Sequence, residues 1–390
     1  MSPDISHENL HDNDPLKTAF SRLQSARDKL IASDPMTAPL DELSTLTEKL
    51  RTAKDLFQEA LEQDQQTNTA EVHGHTIWKR EYEALEQIAK RDGRDLYDIL
   101  CSIHGSKDGR ITALNLDYMR LSDITPLARL IEVQVLHLNH THISDISPLR
   151  GLPKLRELWL HNIRLPDTED NVATLNALDG RECTIHGALL ESECQVVQRL
   201  AELNGLDPNT VMKGIYETKK GQITGLKIQE MLLSDISPLQ ELAHLQSLNL
   251  NNCGLTNITP LAELYFLERL TLEGNQLTDI TPLKELQRLE MLALGDNRLS
   301  DISPLSSLSR LEMLWLDDNL IGDITPIENL HKLEMVWLNK NELSDITPLA
   351  GLTQLERLAL EHNHITDSTE NRATCRHLRD HGCKIIGIPL

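Results

Sequence analysis

From Leu245 onward the chain repeats one 22-residue phrase. The phrase reads LxxLxxLxLxxNxLxDI[ST]PL, as at Leu267, Leu270, Leu272, Asn275, Leu277, Ile280, Pro282 and Leu283, and it returns from Leu289, Leu311 and Leu333. A unit this short cannot enclose a core of its own. It buries its apolar edge only against the next unit, so the chain must stack into a solenoid. Within each unit the LxLxx stretch alternates and is short, which predicts a strand, and successive strands then lie parallel about 4.8 Å apart. The Asn after the strand (Asn275, Asn297, Asn319, Asn341, Asn363) predicts an inward amide that bonds the backbone where the chain turns. Met119, Thr141, Ile163, Met231 and Cys253 stand in that place elsewhere, which predicts irregular or less well bonded turns there.

Eight of the units also carry Thr or Ser directly before Pro, at Thr125, Ser147, Ser237, Thr259, Thr281, Ser303, Thr325 and Thr347. The pair reads as a helix N-cap followed by the first helical residue, so a short helical turn is expected on the convex side. Its recurrence in register favours this over proline-directed phosphorylation.

The repeats occur in two copies of one design. Gly93, Asp95, Ile103, Gly109, Met119 and Leu127 recur, at one constant offset, as Gly205, Asp207, Ile215, Gly221, Met231 and Leu239. Asn171, Thr174, Leu178, Cys183 and Gly187 recur, at a second and longer constant offset, as Asn371, Thr374, Leu378, Cys383 and Gly387. The second offset exceeds the first by four repeat lengths. Each copy therefore has a helical leading segment, a run of repeats and a helical trailing segment, and the shared ends read as caps over the terminal apolar faces. The expected domains are 1–75, 76–190 with three repeats from Ile111, Val133 and Leu155, and 191–390 with seven repeats from Ile223 to Leu355. The first comprises a helical hairpin over 16–62, with coiled-coil-like 3-4 spacing (Leu16, Ala19, Leu23, Ala26, Leu30; Leu43, Leu46, Leu50, Ala53, Phe57), and a polar linker from Gln63 to His75. The hairpin either packs on itself or docks on a partner or a second copy.

Aromatic residues make up only 3% of the chain, because leucine and isoleucine fill the core. A formal charge of −22 opposes binding to a nucleic-acid backbone and suits a neutral or basic protein, or simply solubility. Met1 to Pro15 holds no apolar leader segment, no run is long enough to span a membrane, and six cysteines make no dense framework, so a reduced, cytoplasmic protein is expected. Cys183 and Cys383 read as buried thiols; pairing with Cys194 or Cys375 would need an oxidising compartment. No cofactor motif, phosphate loop or nucleophile elbow is present, and the carboxylates follow the repeat instead of pairing as acid and base, so no enzymatic activity is expected.

With the leucines inward, the alternate residues face out of the concave sheet. The central column reads Lys227, Asn249, Thr271, Ala293, Trp315, Trp337 and Ala359 in the long array, and Asn115, His137 and Trp159 in the short one. Met291, Met313 and Met335 lie in the column before, and Asp317, Asp318, Asn339, Lys340, Glu361 and His362 in the columns after. Trp315 and Trp337 on neighbouring rungs should form an apolar patch with the methionines, and tryptophan is enriched where partners bind. The alternative is that a helix of the same chain covers it. The short array offers His137, His140, Trp159 and His161, beside Tyr118, Asn139 and Asn162; the histidines read as ordinary exposed side chains, with a pH-sensing polar contact face or metal binding as the alternatives.

The unit Asn275-Gln-Leu-Thr-Asp-Ile-Thr-Pro-Leu283 resembles the leucine-rich repeats of the internalin type, and the resemblance covers about 110–166 and 222–366. It implies an α/β leucine-rich repeat solenoid and the bacterial branch of these repeats. Internalins are secreted adhesins, whose signal peptide and wall-anchoring end are not seen here. Similar arrays also occur in intracellular phosphatase-regulating proteins that bind partners on an aromatic, acidic concave face. A protein-interaction module is therefore expected, with Trp315, Trp337, Met313, Met335, Met291, Asp317, Asp318, Asn339, Glu361, Trp159, His137 and His161 at its contact surface. A secreted or delivered effector or adhesin acting on a host protein, and a homodimerising scaffold, are the alternatives.

Overall fold

The computed structural model describes residues 69–72, 75–107 and 109–388, so the hairpin expected over 16–62 lies outside it. Part of the stretch expected to be a linker is a strand: β1 (Thr69–Val72) pairs antiparallel with β2 (His75–Trp78). The β-formers Thr69, Val72, Thr76 and Ile77 flank Gly74 in the sequence, a hairpin signal outweighed in the sequence reading by the polar residues around it. The chain falls into two units, divided between Ala188 and Leu189.

In the first unit α1 (Lys79–Asp92) and α2 (Leu96–Leu100) lead into a hairpin of β3 (Ile103–Lys107) and β4 (Arg110–Asn115). Strands β5 (Val135–His137) and β6 (Glu157–Leu165) then add in parallel. Helix α3 (Glu169–Asp179) and β7 (Thr184–Leu190) follow, and the sheet order is β3-β4-β5-β6-β7.

The second unit repeats this plan with α4 (Glu191–Leu203), α5 (Pro208–Met212), β8 (Ile215–Lys219) and β9 (Gln222–Lys227). Six short parallel strands follow: β10 (Ser247–Asn249), β11 (Arg269–Thr271), β12 (Met291–Ala293), β13 (Met313–Trp315), β14 (Met335–Trp337) and β15 (Arg357–Ala359). Helix α6 (Thr369–Asp380) and β16 (Lys384–Ile386) close a nine-stranded sheet whose strands follow chain order. Register advances by one repeat length at every step from β9 to β15, as in Leu270↔Leu292 and Leu292↔Leu314, and these leucines are fully buried.

The two constant offsets between the copies acquire a physical meaning in the caps. Glu81 on α1 is fully buried and accepts hydrogen bonds from the Ile111 amide (2.7 Å) and the Arg110 guanidinium (3.3 Å). Its counterpart Glu193 on α4 accepts from the Ile223 amide (2.9 Å). Each carboxylate satisfies a donor at the first rung, where no preceding repeat exists. Burial pushes the Glu81 pKa up, against the lowering effect of these donors. At the trailing end, Asn171 and Asn371 are buried and accept from the Ile146 and Ile346 amides (2.9 and 3.0 Å), while their own amides donate to the carbonyls of Ser144 and Ser344. Thr168 and Ser368 cap the helices that carry them.

Between the caps of the second unit, an asparagine ladder on five successive rungs links each of them to the rung before. Asn319 accepts from the Leu299 amide (3.0 Å) and donates to the carbonyls of Leu294 (3.0 Å) and Leu316 (3.2 Å). Asn275, Asn297, Asn341 and Asn363 make the same set one or two units earlier or later. The residue before the ladder position is left-handed in all ten repeats, from Tyr118 (φ 60) to His362 (φ 59). Turns lacking the asparagine thus share that left-handed residue, and they are less well bonded, as the sequence predicts. Thr141 donates to the Leu138 carbonyl (2.8 Å) and Cys253 to that of Ile228 (3.0 Å), whereas Met119 and Ile163 simply fill the site with apolar bulk.

The convex turns also differ from expectation. All eight are 3-10 segments starting at the Thr or Ser, and the residue that caps them is the Asp or Asn two places earlier. The Thr325 amide donates to Asp323 Oδ1 (2.8 Å), and Asp123, Asp145, Asp235, Asn257, Asp279, Asp301 and Asp345 accept in the same way. The Asx side chain is one atom better placed than the hydroxyl for the amide two residues on, so it takes the role assigned to Ser/Thr.

Removing a ladder amide leaves buried backbone groups unpaired. Asn319→Leu is therefore expected to lower the unfolding free energy by about 3 kcal/mol, read from urea titration. The capping hydrogen bonds from Thr hold the Asp123, Asp279 and Asp323 carboxyls below the usual carboxylate range. A lowered folded pKa stabilises above the unfolded value of about 4, and that stability is lost as pH falls through the folded value. The thermal midpoint is expected to drop below about pH 4, and an Asp279→Asn/Asp323→Asn variant to show a shallower drop in the same scan. Asn257 already performs this job without a charge.

Candidate functional site

The outward faces of the two sheets carry the residues that the repeats do not need. In the second unit the register sets Met291, Met313 and Met335 in one column and Ala293, Trp315, Trp337 and Ala359 in the next. The methionines and both tryptophans are half-buried. The indoles of Trp315 and Trp337 stack, with centroids 4.9 Å apart and planes 9° from parallel. The rung spacing dictates this: identical planar groups one strand apart fall into offset stacking without further guidance.

The columns after the strand are polar and bonded rung to rung. Asp317 accepts from the Asn339 backbone amide (3.0 Å) and side chain (2.9 Å), and Asn339 Oδ1 in turn accepts from the Glu361 amide (2.7 Å). Burial raises the Asp317 pKa, and the Asn339 donors oppose the rise. Asp318 pairs with Lys340 at 2.7 Å. Together with Glu273 and Asp296 these side chains line an open depression of about 510 Å³ beside the tryptophans.

The first unit presents a different face. His137 and Trp159 stack at 5.3 Å with planes 3° apart, and His186 covers Trp159 at 3.8 Å and 17°. His161 lies tilted beside Trp159 at 5.7 Å, and Tyr118 stacks on His140 at 4.4 Å. Asn162 reaches the His140 ring, and Asn139 continues an Asp117-Asn139-His161 ladder like that of the second unit. Burial, then the neighbouring His186 and His140 imidazoles, hold the His161 pKa below the usual histidine range. His137 and His186 thus sandwich Trp159, while His161 and His140 lie outside that stack, and among the described residues no three metal-ligating side chains converge.

Of the residues singled out from the sequence, Trp315, Trp337, Met291, Met313, Met335, Asp317, Asp318, Asn339 and Glu361 come together on one sheet. Trp159, His137 and His161 form a separate cluster on the other unit. The sequence reading missed His186, because it belongs to the trailing cap and not to a repeat. The repeat length counted on from Trp159 lands on Arg181 instead, so periodicity does not point to it. It also missed the column Glu268, Glu290, Glu312, Glu334 and Glu356, which follows the first leucine of each unit and stacks through backbone bonds such as Glu312 N to Glu290 O (2.9 Å). All six cysteines are thiols, five of them are buried, and burial pushes Cys183 and Cys383 up to about 11.

Three stretches, 131–173, 243–285 and 287–329, match the family model of leucine-rich repeats in two copies. Among solved structures, the chain is similar to an internalin, InlF, from Listeria monocytogenes: 24% identity over 96% of this chain and 98% of that one, with a TM-score of 0.41. It is also similar to internalin C2 from the same species (24% identity, 72% and 92% covered, TM-score 0.32) and to a leucine-rich repeat protein from Leptospira interrogans (20%, 70% and 83%, TM-score 0.39). No curated protein matches the chain.

The stacked indoles should couple electronically. A couplet is expected in the near-ultraviolet circular dichroism, lost in Trp315→Phe and equally in Trp337→Phe; a couplet surviving either change contradicts the stack.

Proposed function

We propose that this leucine-rich repeat protein is a non-catalytic interaction module that holds a neutral or basic protein partner on the concave face of its long array. The observation that carries this reading is the Trp315–Trp337 stack flanked by three half-buried methionines. Nothing in the repeat needs tryptophan there, since Lys, Asn, Thr and Ala occupy the same column on other rungs. Keeping such surface in water is unfavourable by about 25 cal/mol per Å², a cost that a partner covering it would recover. Tryptophan loses little conformational freedom on contact, and methionine adapts to irregular surfaces. The six thiols support a cytoplasmic setting.

The test is an affinity pull-down from native lysate, comparing the wild-type chain with a folded Trp315→Ala/Trp337→Ala variant. The expected result is a partner retained by the wild type and lost by the variant, a weakening of about 3 kcal/mol or more and thus over a hundredfold in affinity. An identical catch from both proteins would move the function off this face.

A further inference from the structure

We propose that the partner segment seated on the Trp315–Trp337 strip is basic, with arginine or lysine side chains laid across the indoles and their heads on carboxylates at either side. This inference rests on the reading of that face as a binding surface and names its partner's chemistry.

Three adjacent rungs carry it. Their outward residues are Glu290, Met291, Ala293, Gly295 and Asp296, then Glu312, Met313, Trp315, Asp317 and Asp318, then Glu334, Met335, Trp337, Asn339 and Lys340. Six carboxylates border the apolar strip, three on the glutamate side and three on the other. The one cation among these outward residues, Lys340, is already held by Asp318. The glutamates are stacked one rung apart, with Glu312 N bonded to Glu290 O and Glu334 N to Glu312 O (2.9 and 2.8 Å), and among the described residues none of the three carboxylates makes an ion pair. On the outer rungs the glutamate is followed by an arginine, at Arg269 and Arg357, and on the three central rungs by methionine. In that column the central rungs thus carry apolar stems in place of cations, while Arg288, Arg310 and Lys332 lie two residues before the glutamates.

Like charges held a rung apart repel, and an incoming cation relieves that repulsion. An apolar strip between two acidic borders matches a side chain with an aliphatic stem and a cationic head, which lies along methionine and over an indole face. Arginine suits best, since its planar guanidinium stacks on indole and pairs with carboxylate in one pose. The first unit offers an internal comparison: there His137 and His186 occupy both faces of Trp159, whereas Ala293 and Ala359 flank the Trp315–Trp337 pair in register. Charge disfavours other occupants. Residues 1–68 of this chain hold 13 acidic and 7 basic side chains, and a second copy brings a net −22.

The test is a peptide array of broad composition probed with the full chain, its folded Trp315→Ala/Trp337→Ala variant, and a Glu290→Gln/Glu312→Gln/Glu334→Gln variant. Peptides bound by the wild type and lost by the tryptophan variant are expected to be enriched in arginine and lysine. They are expected to bind the glutamine variant at least tenfold more weakly, and to release from the wild type as salt rises. Tryptophan-dependent peptides that are neutral or purely apolar, or equal binding by the glutamine variant, overturn the basic partner while leaving the binding face intact. No tryptophan-dependent peptide at all overturns both.

Discussion

In the second unit, the hydrogen bonds made by one inward amide on each of five successive rungs are what the rest of the array depends on. Each ladder asparagine joins the turn of its own rung to a carbonyl and an amide of the rung before. The chain can then leave its strand through a left-handed residue at the same register every time. Leucine burial supplies the driving force, but leucines tolerate sliding. Directional bonds do not, and they hold neighbouring strands one repeat length apart in register. Every outward column, including the tryptophan and glutamate columns, inherits its alignment from that register.

A solenoid has two open ends, and this chain closes them with polar side chains as well as apolar helices. Glu81 and Glu193 receive the amides of the first rungs; Asn171 and Asn371 receive those near the last. A purely apolar cap would have left these backbone groups buried and unpaired, at about 1–3 kcal/mol each. The duplication thus preserves the two pieces of hydrogen-bond chemistry that any array of this kind requires, while the number of rungs between them is free to differ.

The same rung spacing that builds the core also builds the faces. Planar side chains placed one repeat apart stack, whether indole on indole in the second unit or imidazole on indole in the first. Carboxylates placed one repeat apart crowd. The repeat therefore turns a choice of residue in one column into a surface property several rungs wide.

The repeat period, the inward leucines and asparagines, the strand register and the columns that face outward were all legible in the sequence, because so short a period leaves one way to bury the leucines. The caps were legible as duplicated segments, though their bonding was not. Three matters were decided only in the folded chain. Asp or Asn, and not Ser or Thr, caps the convex turns, because the choice hangs on which oxygen reaches the amide. His186 joins the Trp159 stack from a strand outside the repeats. Strand β1 forms where polar composition suggested a linker. In each case the deciding contact is a distance in space that neither periodicity nor composition encodes.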